Sequence, residues 1–329
     1  MAASRILIAV FGLLGLVAAP FVRAQPAPAT FESASGVRWT RHVFEDSKGT
    51  IGTYYLSTAP DAASLILLIQ GSGCVPLFAE VGAQSRIATA SQDVLVRVAG
   101  ERARIMVVEK PGVAFNGQIG PSPGRSEGCG LEFRQRYALD DWAGVLRAAL
   151  ADAATDGRTV AILGVSEGGT AAARLSGTGF AGPIGIISGG ACFASGALLD
   201  LAYRREREGL PGTSVDDTYR LLGEIAASPT EIDLFAWGQT YLRWSTFGAA
   251  CNTRVLDHHP GPVFIAYGTG DAGANVAAFE DLAEVRRGES RPVQVFRVRG
   301  GDHDLSVGET DHRTETFAAF LAVALGEGR

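Results

Sequence analysis

Three residues of this chain, Ser166, Asp271 and His303, are of the types that together turn a hydroxyl group into a nucleophile. A serine hydroxyl reacts poorly at neutral pH unless a neighbouring base accepts its proton. A histidine can act as that base, and a carboxylate can hold the imidazole in the right tautomer and stabilise its cation. Because such a serine attacks carbonyl carbon, the chemistry expected from these residues is acyl transfer.

Ser166 lies at the centre of a Gly-x-Ser-x-Gly sequence that runs from Gly164 to Gly168. A short β-branched run before it predicts a buried strand, and an alanine-rich run after it predicts a helix. A strand that turns at once into a helix strains its middle residue and leaves no room for side chains two residues away. The two glycines meet that need, and the helix N-terminus adds a positive dipole where negative charge would develop.

The acid and the histidine each follow a late predicted strand. Val263–Tyr267 leads into Asp271, and Val293–Val298 leads into His303. Loops beyond the carboxyl ends of parallel strands share one edge of the sheet. We therefore expect both side chains to meet Ser166 at that edge.

Other residues compete for these two roles. None of the other four histidines follows a late strand; they are His42, His258, His259 and His312. For the acid, Asp302 is adjacent to His303 and is expected to point away from it. Asp304 and Asp281 stay open as alternatives to Asp271.

The Gly-x-Ser-x-Gly turn, the acid and the histidine occur in this order, and each follows a predicted strand. In this respect residues 37–326 resemble an α/β-hydrolase. That resemblance implies a mostly parallel central sheet with helices on both faces and a helical lid insertion, here at about 195–260. It also implies a serine esterase or related acyl hydrolase that forms an acyl-enzyme and needs no cofactor. The alternatives are a peptidase of the prolyl-oligopeptidase type, which usually carries a second large domain, and a non-catalytic protein that keeps the fold for binding.

An α/β-hydrolase binds the oxyanion with two backbone N–H groups, and one belongs to the residue after the nucleophile, here Glu167. The second should come from the loop after the predicted strand Leu65–Gln70, which reads Gly71-Ser72-Gly73. This loop departs from the His-Gly loops of many lipases and resembles the Gly-Ser-Gly loops of exported bacterial dienelactone-hydrolase-like proteins. We assign the second donor to the Ser72 N–H, with Gly71 and Gly73 as alternatives.

Charged side chains beside the expected site have more than one interpretation. The Glu167 carboxylate either contacts substrate or is buried against Lys110 or Arg125. Glu109 and Lys110 also border the site, at the carboxyl end of a predicted strand. Because opposite charges side by side more often form structural pairs, we expect Glu109 and Lys110 to form such a pair.

Four cysteines, an even number, favour two disulfides in an exported chain. Cys74 follows the oxyanion loop, and Cys129 lies in the loop after the adjacent strand. Cys192 leaves the strand predicted over 184–188, and Cys251 is near the end of the lid insertion. We therefore predict the pairs Cys74–Cys129 and Cys192–Cys251. No His/Cys spacing is typical of a metal site.

Residues 1–24 predict a signal peptide. Arg5 supplies the basic region, Ile6–Ala19 the apolar core, and a small-x-small cleavage site precedes Gln25. Residues 25–36 are expected to form a tether, and no other segment approaches the length of a membrane span. The sequence thus predicts a periplasmic or secreted protein.

Composition bounds the class of protein and its partners. An apolar fraction of 47% is ample for one large α/β domain. The net charge of −6 argues against nucleic acid or anionic lipid as a partner. The expected partner is a small-molecule acyl substrate.

Periodicity predicts the remaining elements. The ranges 37–44 and 51–56 are expected to form a hairpin, 85–102 and 131–154 one helix each, and 314–324 a closing helix. Within the lid insertion, the amphipathic run 232–244 is expected to be helical.

Overall fold

The computed structural model describes residues 29–81, 86–88, 91–115, 124–153, 158–189, 192, 195–271 and 277–327. The predicted signal peptide and the first four residues of the predicted tether lie outside this part of the chain. Within it, no helix has the length and apolar character needed to cross a bilayer.

The strands and helices alternate along most of the chain. The strands are β1 Ala29–Glu32, β2 Arg38–Glu45, β3 Ile51–Ser57, β4 Ser64–Ile69, β5 Ala79–Val81, β6 Arg86–Ala88, β7 Ala103–Val108, β8 Thr159–Val165, β9 Ile184–Ile187, β10 Phe235–Ala236, β11 Gln239–Thr240, β12 Val263–Gly268, β13 Val293–Val298, β14 Ser306–Val307 and β15 Thr310–Asp311. The helices are α1 Gln92–Ala99, α2 Leu131–Arg136, α3 Leu139–Asp152, α4 Glu167–Ser176, α5 Ser195–Glu208, α6 Val215–Ala227, α7 Tyr241–Phe247, α8 Asn252–Asp257, α9 Ala277–Gly288 and α10 Arg313–Leu325.

Nine strands of the described chain form one sheet, in the order β1-β2-β3-β7-β4-β8-β9-β12-β13. The first three are antiparallel, and β3 also pairs antiparallel with β7. From β7 to β13 every neighbouring pair is parallel. The hairpin and the parallel strands expected from the sequence are therefore confirmed.

The central strand β4 shows why the sheet is buried on both faces. Its side chains alternate between two apolar cores, with Leu65 and Leu67 in one and Ile66 and Leu68 in the other. Helices α3, α4, α8 and α9 contribute to the first core, and α1 and α10 contribute to the second. A continuous apolar run is typical of a strand covered on both sides.

The parallel register aligns the strand ends that matter for the site. Val165 of β8 pairs with Ile187 of β9, and Gly268 of β12 pairs with Val298 of β13. The loops that carry Ser166 and the two late-strand candidates thus leave the same edge of the sheet.

The prediction of a tether over residues 25–36 is wrong at Ala29–Glu32. This segment pairs with β2 as an edge strand. The ring of Phe31 packs against Phe78 and Tyr55, at centroid distances of 4.9 and 5.9 Å. Packing of this half-buried aromatic ring against the core explains the strand, which the polar and proline-rich composition around it obscured.

Two helix predictions need correction. The helix expected over 85–102 is confined to Gln92–Ala99, and Arg86–Ala88 instead pairs with β5. The helix expected over 131–154 breaks at Tyr137 and Ala138, where the backbone leaves helical geometry. The break turns the buried Tyr137 side chain toward the oxyanion loop.

The insertion between β9 and β12 contains α5, α6, the β10–β11 hairpin, α7 and α8. The run 232–244, expected to be helical, instead contains this hairpin, and only its last four residues are in α7. Trp237 and Gly238 form its turn with φ values of 48° and 79°, the left-handed pair that a two-residue hairpin turn requires. Thr240 then caps α7 by accepting the Arg243 N–H at 3.1 Å.

Candidate active site

Ser166 occupies a strained turn between β8 and α4. Its φ of 53° and ψ of −123° lie in a region that residues with a side chain rarely adopt. Its N–H donates to the Ile187 carbonyl at 2.7 Å, which fixes the turn to the neighbouring strand. A Cβ at Gly164 would overlap the Gly168 carbonyl, and a Cβ at Gly168 would overlap the Ile69 carbonyl. Both glycines are therefore sterically required.

The structure brings Ser166, His303 and Asp271 together. Ser166 Oγ lies 3.0 Å from His303 Nε2, and His303 Nδ1 lies 2.8 Å from Asp271 Oδ2. The Asp271 side chain is only 1% exposed, whereas that of His303 is 44% exposed. These distances allow proton transfer from the hydroxyl to the imidazole.

The acidic surroundings of His303 raise its pKa. The hydrogen bond that His303 Nδ1–H donates to Asp271 is the largest cause, followed among the raising effects by the charges of Asp271, Asp304 and Asp302. Burial of the ring opposes this increase. An imidazole that holds a proton more firmly is a stronger base toward the Ser166 hydroxyl.

The competing residues lie elsewhere. Asp302 Oδ1 accepts the N–H groups of Asp304 and Ser306 at 3.0 and 2.8 Å, so its carboxylate closes a turn. Asp281 is exposed on α9. His259 is buried at the opposite end of β12, where its ring donates to the Gly182 carbonyl at 2.9 Å.

The loop after β4 borders the nucleophile. A Cβ built on Gly71 would lie 3.3 Å from Ser166 Cβ, which shows how closely this loop approaches. The Gly73 N–H donates to the Tyr137 hydroxyl at 3.2 Å and is therefore not available as an oxyanion donor. Glu167 opens α4, so its N–H has no acceptor within the helix. Ser72 and Glu167 remain the better candidates.

Lys110 lies beneath this loop and is almost completely buried. Its ammonium donates to the carbonyl oxygens of Gly71 and Gly73, the second at 2.8 Å. It also lies 4.7 Å from the centre of the Trp142 ring, a favourable cation–π distance. Burial lowers the pKa of Lys110 to about 8.

The Glu167 carboxylate is buried inside the protein. It accepts hydrogen bonds from the Tyr137 hydroxyl and from the Arg243 guanidinium, whose Nε lies at 2.7 Å. The expected partners were Lys110 or Arg125, but Arg125 instead pairs with Glu127. Neither Arg243 nor Tyr137 was found from the sequence, since a buried carboxylate requires a cation without indicating which one.

Glu109 and Lys110 do not pair with each other, although they are adjacent. Successive side chains of a strand point to opposite faces. The Glu109 carboxylate accepts from the Leu77 N–H at 3.1 Å and the Tyr55 hydroxyl at 3.2 Å. Burial raises the pKa of Glu109 to about 8. The pair expected from the sequence is therefore wrong, and each residue has other partners in the protein.

The four cysteines form the two pairs expected from the sequence. Cys74 is joined to Cys129, which fastens the end of the oxyanion loop to the segment before α2. Cys192 is joined to Cys251, which connects the two ends of the insertion.

The described residues offer limited sites for other ligands. No group of three His, Cys, Asp or Glu side chains among them could hold a metal ion. The insertion contains a cavity of about 420 Å³ lined by Leu198, Leu222, Ile225 and Trp244, among others. Neither Ser166 nor His303 lines it.

No family model matches the chain, and no curated protein does. Solved structures do. The esterase domain of a Rhodothermus marinus protein superposes with a TM-score of 0.52 at 13% identity, over 88% of this chain and 98% of that chain. Est1E from Butyrivibrio proteoclasticus, with ferulic acid bound, gives a TM-score of 0.52 at 13% identity, over 91% and 100%. The chain has the α/β-hydrolase fold.

Peptidases share this fold over part of their length. Pyrococcus horikoshii acylaminoacyl peptidase superposes with a TM-score of 0.56 at 12% identity, over 89% of this chain but only 42% of the peptidase. The fold class expected from the sequence is thus confirmed. Because esterases and peptidases both have the α/β-hydrolase fold, the fold does not choose between them.

Proposed function

We propose that this protein is a serine hydrolase that cleaves a carboxylic ester or related acyl bond. The observation that carries the proposal is the hydrogen-bonded series Ser166–His303–Asp271 at the strained turn after β8. The similarity in fold to esterases and peptidases supports the same class of reaction.

In the proposed reaction, His303 Nε2 accepts the Ser166 proton while Oγ attacks the carbonyl carbon. Backbone N–H groups of Glu167 and Ser72 stabilise the oxyanion of the tetrahedral intermediate. His303 then returns the proton to the leaving alkoxide, which leaves an acyl-enzyme on Ser166. A water molecule, activated by the same imidazole, hydrolyses that acyl-enzyme and restores the hydroxyl.

Two buried carboxylates favour an ester over a peptide substrate. A peptidase that recognises a free N-terminus needs a carboxylate facing the substrate amine. Glu167 and Glu109, two of the acidic residues near the site, are both bonded inward to protein groups. An alkoxide is also a better leaving group than an amine, so the reaction requires less protonation by His303.

Matched p-nitrophenyl esters and p-nitroanilides of the same acyl groups test this proposal, with Ser166→Ala as the blank. We expect kcat/KM for short esters well above that for anilides, since this ratio reports differential transition-state binding. Anilide turnover equal to or above ester turnover would instead favour a peptidase. A folded wild-type protein no faster than Ser166→Ala on either series would favour a binding protein.

We also propose that residues 1–24 are removed on export and that the insertion at about 195–260 acts as a lid. Two cysteine pairs at disulfide distance are compatible with an oxidising compartment. Mass spectrometry of the periplasmic and secreted fractions should find an N-terminus at Gln25. An intact N-terminus in the membrane fraction would contradict cleavage and favour an uncleaved anchor.

A further inference from the structure

The buried ammonium of Lys110 donates its hydrogen bonds mainly to carbonyl oxygens on one side of the oxyanion loop. An ammonium has three N–H donors, and burying it without acceptors is costly. Its partners are the carbonyl oxygens of Gly71 and Gly73 and, at 3.5 Å, the hydroxyl of Tyr137. Two of the three partners are backbone groups of the loop that faces Ser166. Lys110 therefore contacts the loop rather than a carboxylate.

Because the peptide bond is planar, the contact between Lys110 and the Gly71 carbonyl also fixes the direction of the Ser72 N–H. The Gly71 carbonyl and the Ser72 N–H belong to the same trans peptide group and point in opposite directions. Because Lys110 draws the Gly71 oxygen inward, the Ser72 N–H points away from Lys110. Gly71 itself lies against Ser166. The contact thus holds the Ser72 N–H on the outer side of the loop, beside the nucleophile.

A second set of contacts secures the other end of the loop. The Tyr137 hydroxyl accepts the Gly73 N–H and donates to the Glu167 carboxylate. That carboxylate is neutralised by Arg243 of α7. The insertion is therefore connected to the loop through one continuous series of buried polar contacts.

The charges around Lys110 favour its protonated form at neutral pH. Burial lowers the pKa of Lys110 to about 8; the charge of Arg243 on α7 also lowers this pKa, whereas the charges of Glu167 on α4 and of Glu109 raise it. The carboxylate of the preceding Glu109 contacts Tyr55 and Leu77, on the other face of the strand. The cluster of Lys110, Glu167 and Arg243 then carries a net positive charge beneath the loop, which favours an oxyanion above it.

We propose that Lys110 is a positioning residue of the oxyanion hole, because it fixes the orientation of the Gly71–Ser72 peptide. This inference rests on the proposed function. Lys110 touches neither the substrate nor the reacting atoms, and acts through the Ser72 N–H.

Lys110→Met tests the inference, since it keeps the length of the side chain and removes all its donors. Removing one oxyanion donor typically lowers kcat by about 10²–10³. We expect Lys110→Met to lower kcat for a p-nitrophenyl ester by between about tenfold and about 10³, while KM changes little. Inhibition by a matched trifluoromethyl ketone, whose adduct places an oxyanion in the same position, should weaken in parallel.

Glu109→Gln is the matched control. It changes the neighbouring buried side chain, which contacts Tyr55 and Leu77 rather than the Gly71–Gly73 segment of the loop. We expect it to leave kcat and the ketone Ki close to wild type at pH 7. Equal losses of kcat in both variants would reduce Lys110 to a general structural role and overturn the inference.

A double-variant cycle separates positioning from stability. Ser72→Pro removes the N–H that Lys110 is inferred to orient. Lys110→Met added to Ser72→Pro should then lower kcat by less than about twofold more, whereas independent effects would multiply. Full multiplication would overturn the inference.

Lys110→Gln keeps two N–H donors without the charge, and supplies the test if Lys110→Met does not fold. We expect it to lower kcat at constant KM, and wild-type kcat would contradict the inference. Fluorophosphonate labelling of the wild type distinguishes a failure of the inferred role of Lys110 from a failure of the proposed function. Labelled, active wild type with an unaffected Lys110→Gln refutes only the role of Lys110, whereas unlabelled, inactive wild type refutes the proposed function.

Discussion

Asp271→Asn is the substitution whose kinetic effect the structure defines most closely. Asp271 Oδ2 lies 2.8 Å from His303 Nδ1, and its side chain is 1% exposed, so no water can replace it easily. An amide in that position can donate to the imidazole and favour the tautomer that has its proton on Nε2, the wrong nitrogen. Loss of the orienting carboxylate in such a triad lowers kcat by about 10⁴, which is about 5.4 kcal/mol of transition-state stabilisation.

The same substitution should change the pH profile in a defined direction. His303 must be neutral to accept the Ser166 proton, so kcat/KM rises as pH increases through its pKa. Since Asp271 is the main cause that raises the pKa of His303, the wild-type inflection should lie above the ordinary 6.5. In Asp271→Asn this cause is lost while burial of the ring remains, so the inflection should move to lower pH.

Stopped-flow or steady-state hydrolysis of a p-nitrophenyl ester between about pH 5 and 9 measures both effects. Asp304→Asn is the control, because its carboxylate affects the pKa of His303 only through its charge. We expect it to lower kcat by less than about tenfold. An Asp271→Asn variant that keeps a tenth or more of wild-type kcat, or an Asp304→Asn variant that loses more, would refute the assignment of the acid.

Two further predictions concern stability. Arg243→Met removes the guanidinium that pairs with the buried Glu167 carboxylate and should lower the free energy of unfolding by about 3–5 kcal/mol in urea denaturation. Arg125→Met breaks an exposed pair and should lower it by less than about 1 kcal/mol. Similar losses in the two variants would contradict the buried pairing. Replacing Cys74 and Cys129 by alanine opens a loop with a sequence separation of 55 and should cost about 4 kcal/mol in the chain-entropy account, while peptide mapping of the unreduced wild type should recover this linkage. Free thiols would contradict the pairing.

Local patterns in the sequence were sufficient for the sheet and for the three candidate catalytic residues. Ser166 could be found because a strand–turn–helix junction restricts its neighbours to glycine. Asp271 and His303 could be found because each follows a clear apolar strand and parallel strands end at one edge. These inferences need only short segments and the topology that connects them.

The contacts beneath the loop could not be found in that way. Glu167 and Arg243 are 76 residues apart, and nothing near either residue identifies the other. The helix break at Tyr137 has no glycine or proline to mark it, and it coincides with a buried hydroxyl that contacts Gly73 and Glu167. Tertiary packing decides such features, and local propensity does not record it.

The identity of the nucleophile is tested most directly by locating the adduct of a fluorophosphonate probe. Tandem mass spectrometry of the labelled wild type should place the modification on Ser166. Ser166→Ala should show no adduct and an unchanged circular dichroism spectrum, with ester hydrolysis lowered by up to about a millionfold. An adduct on another residue, or a Ser166→Ala variant with near-wild-type turnover, would contradict the account.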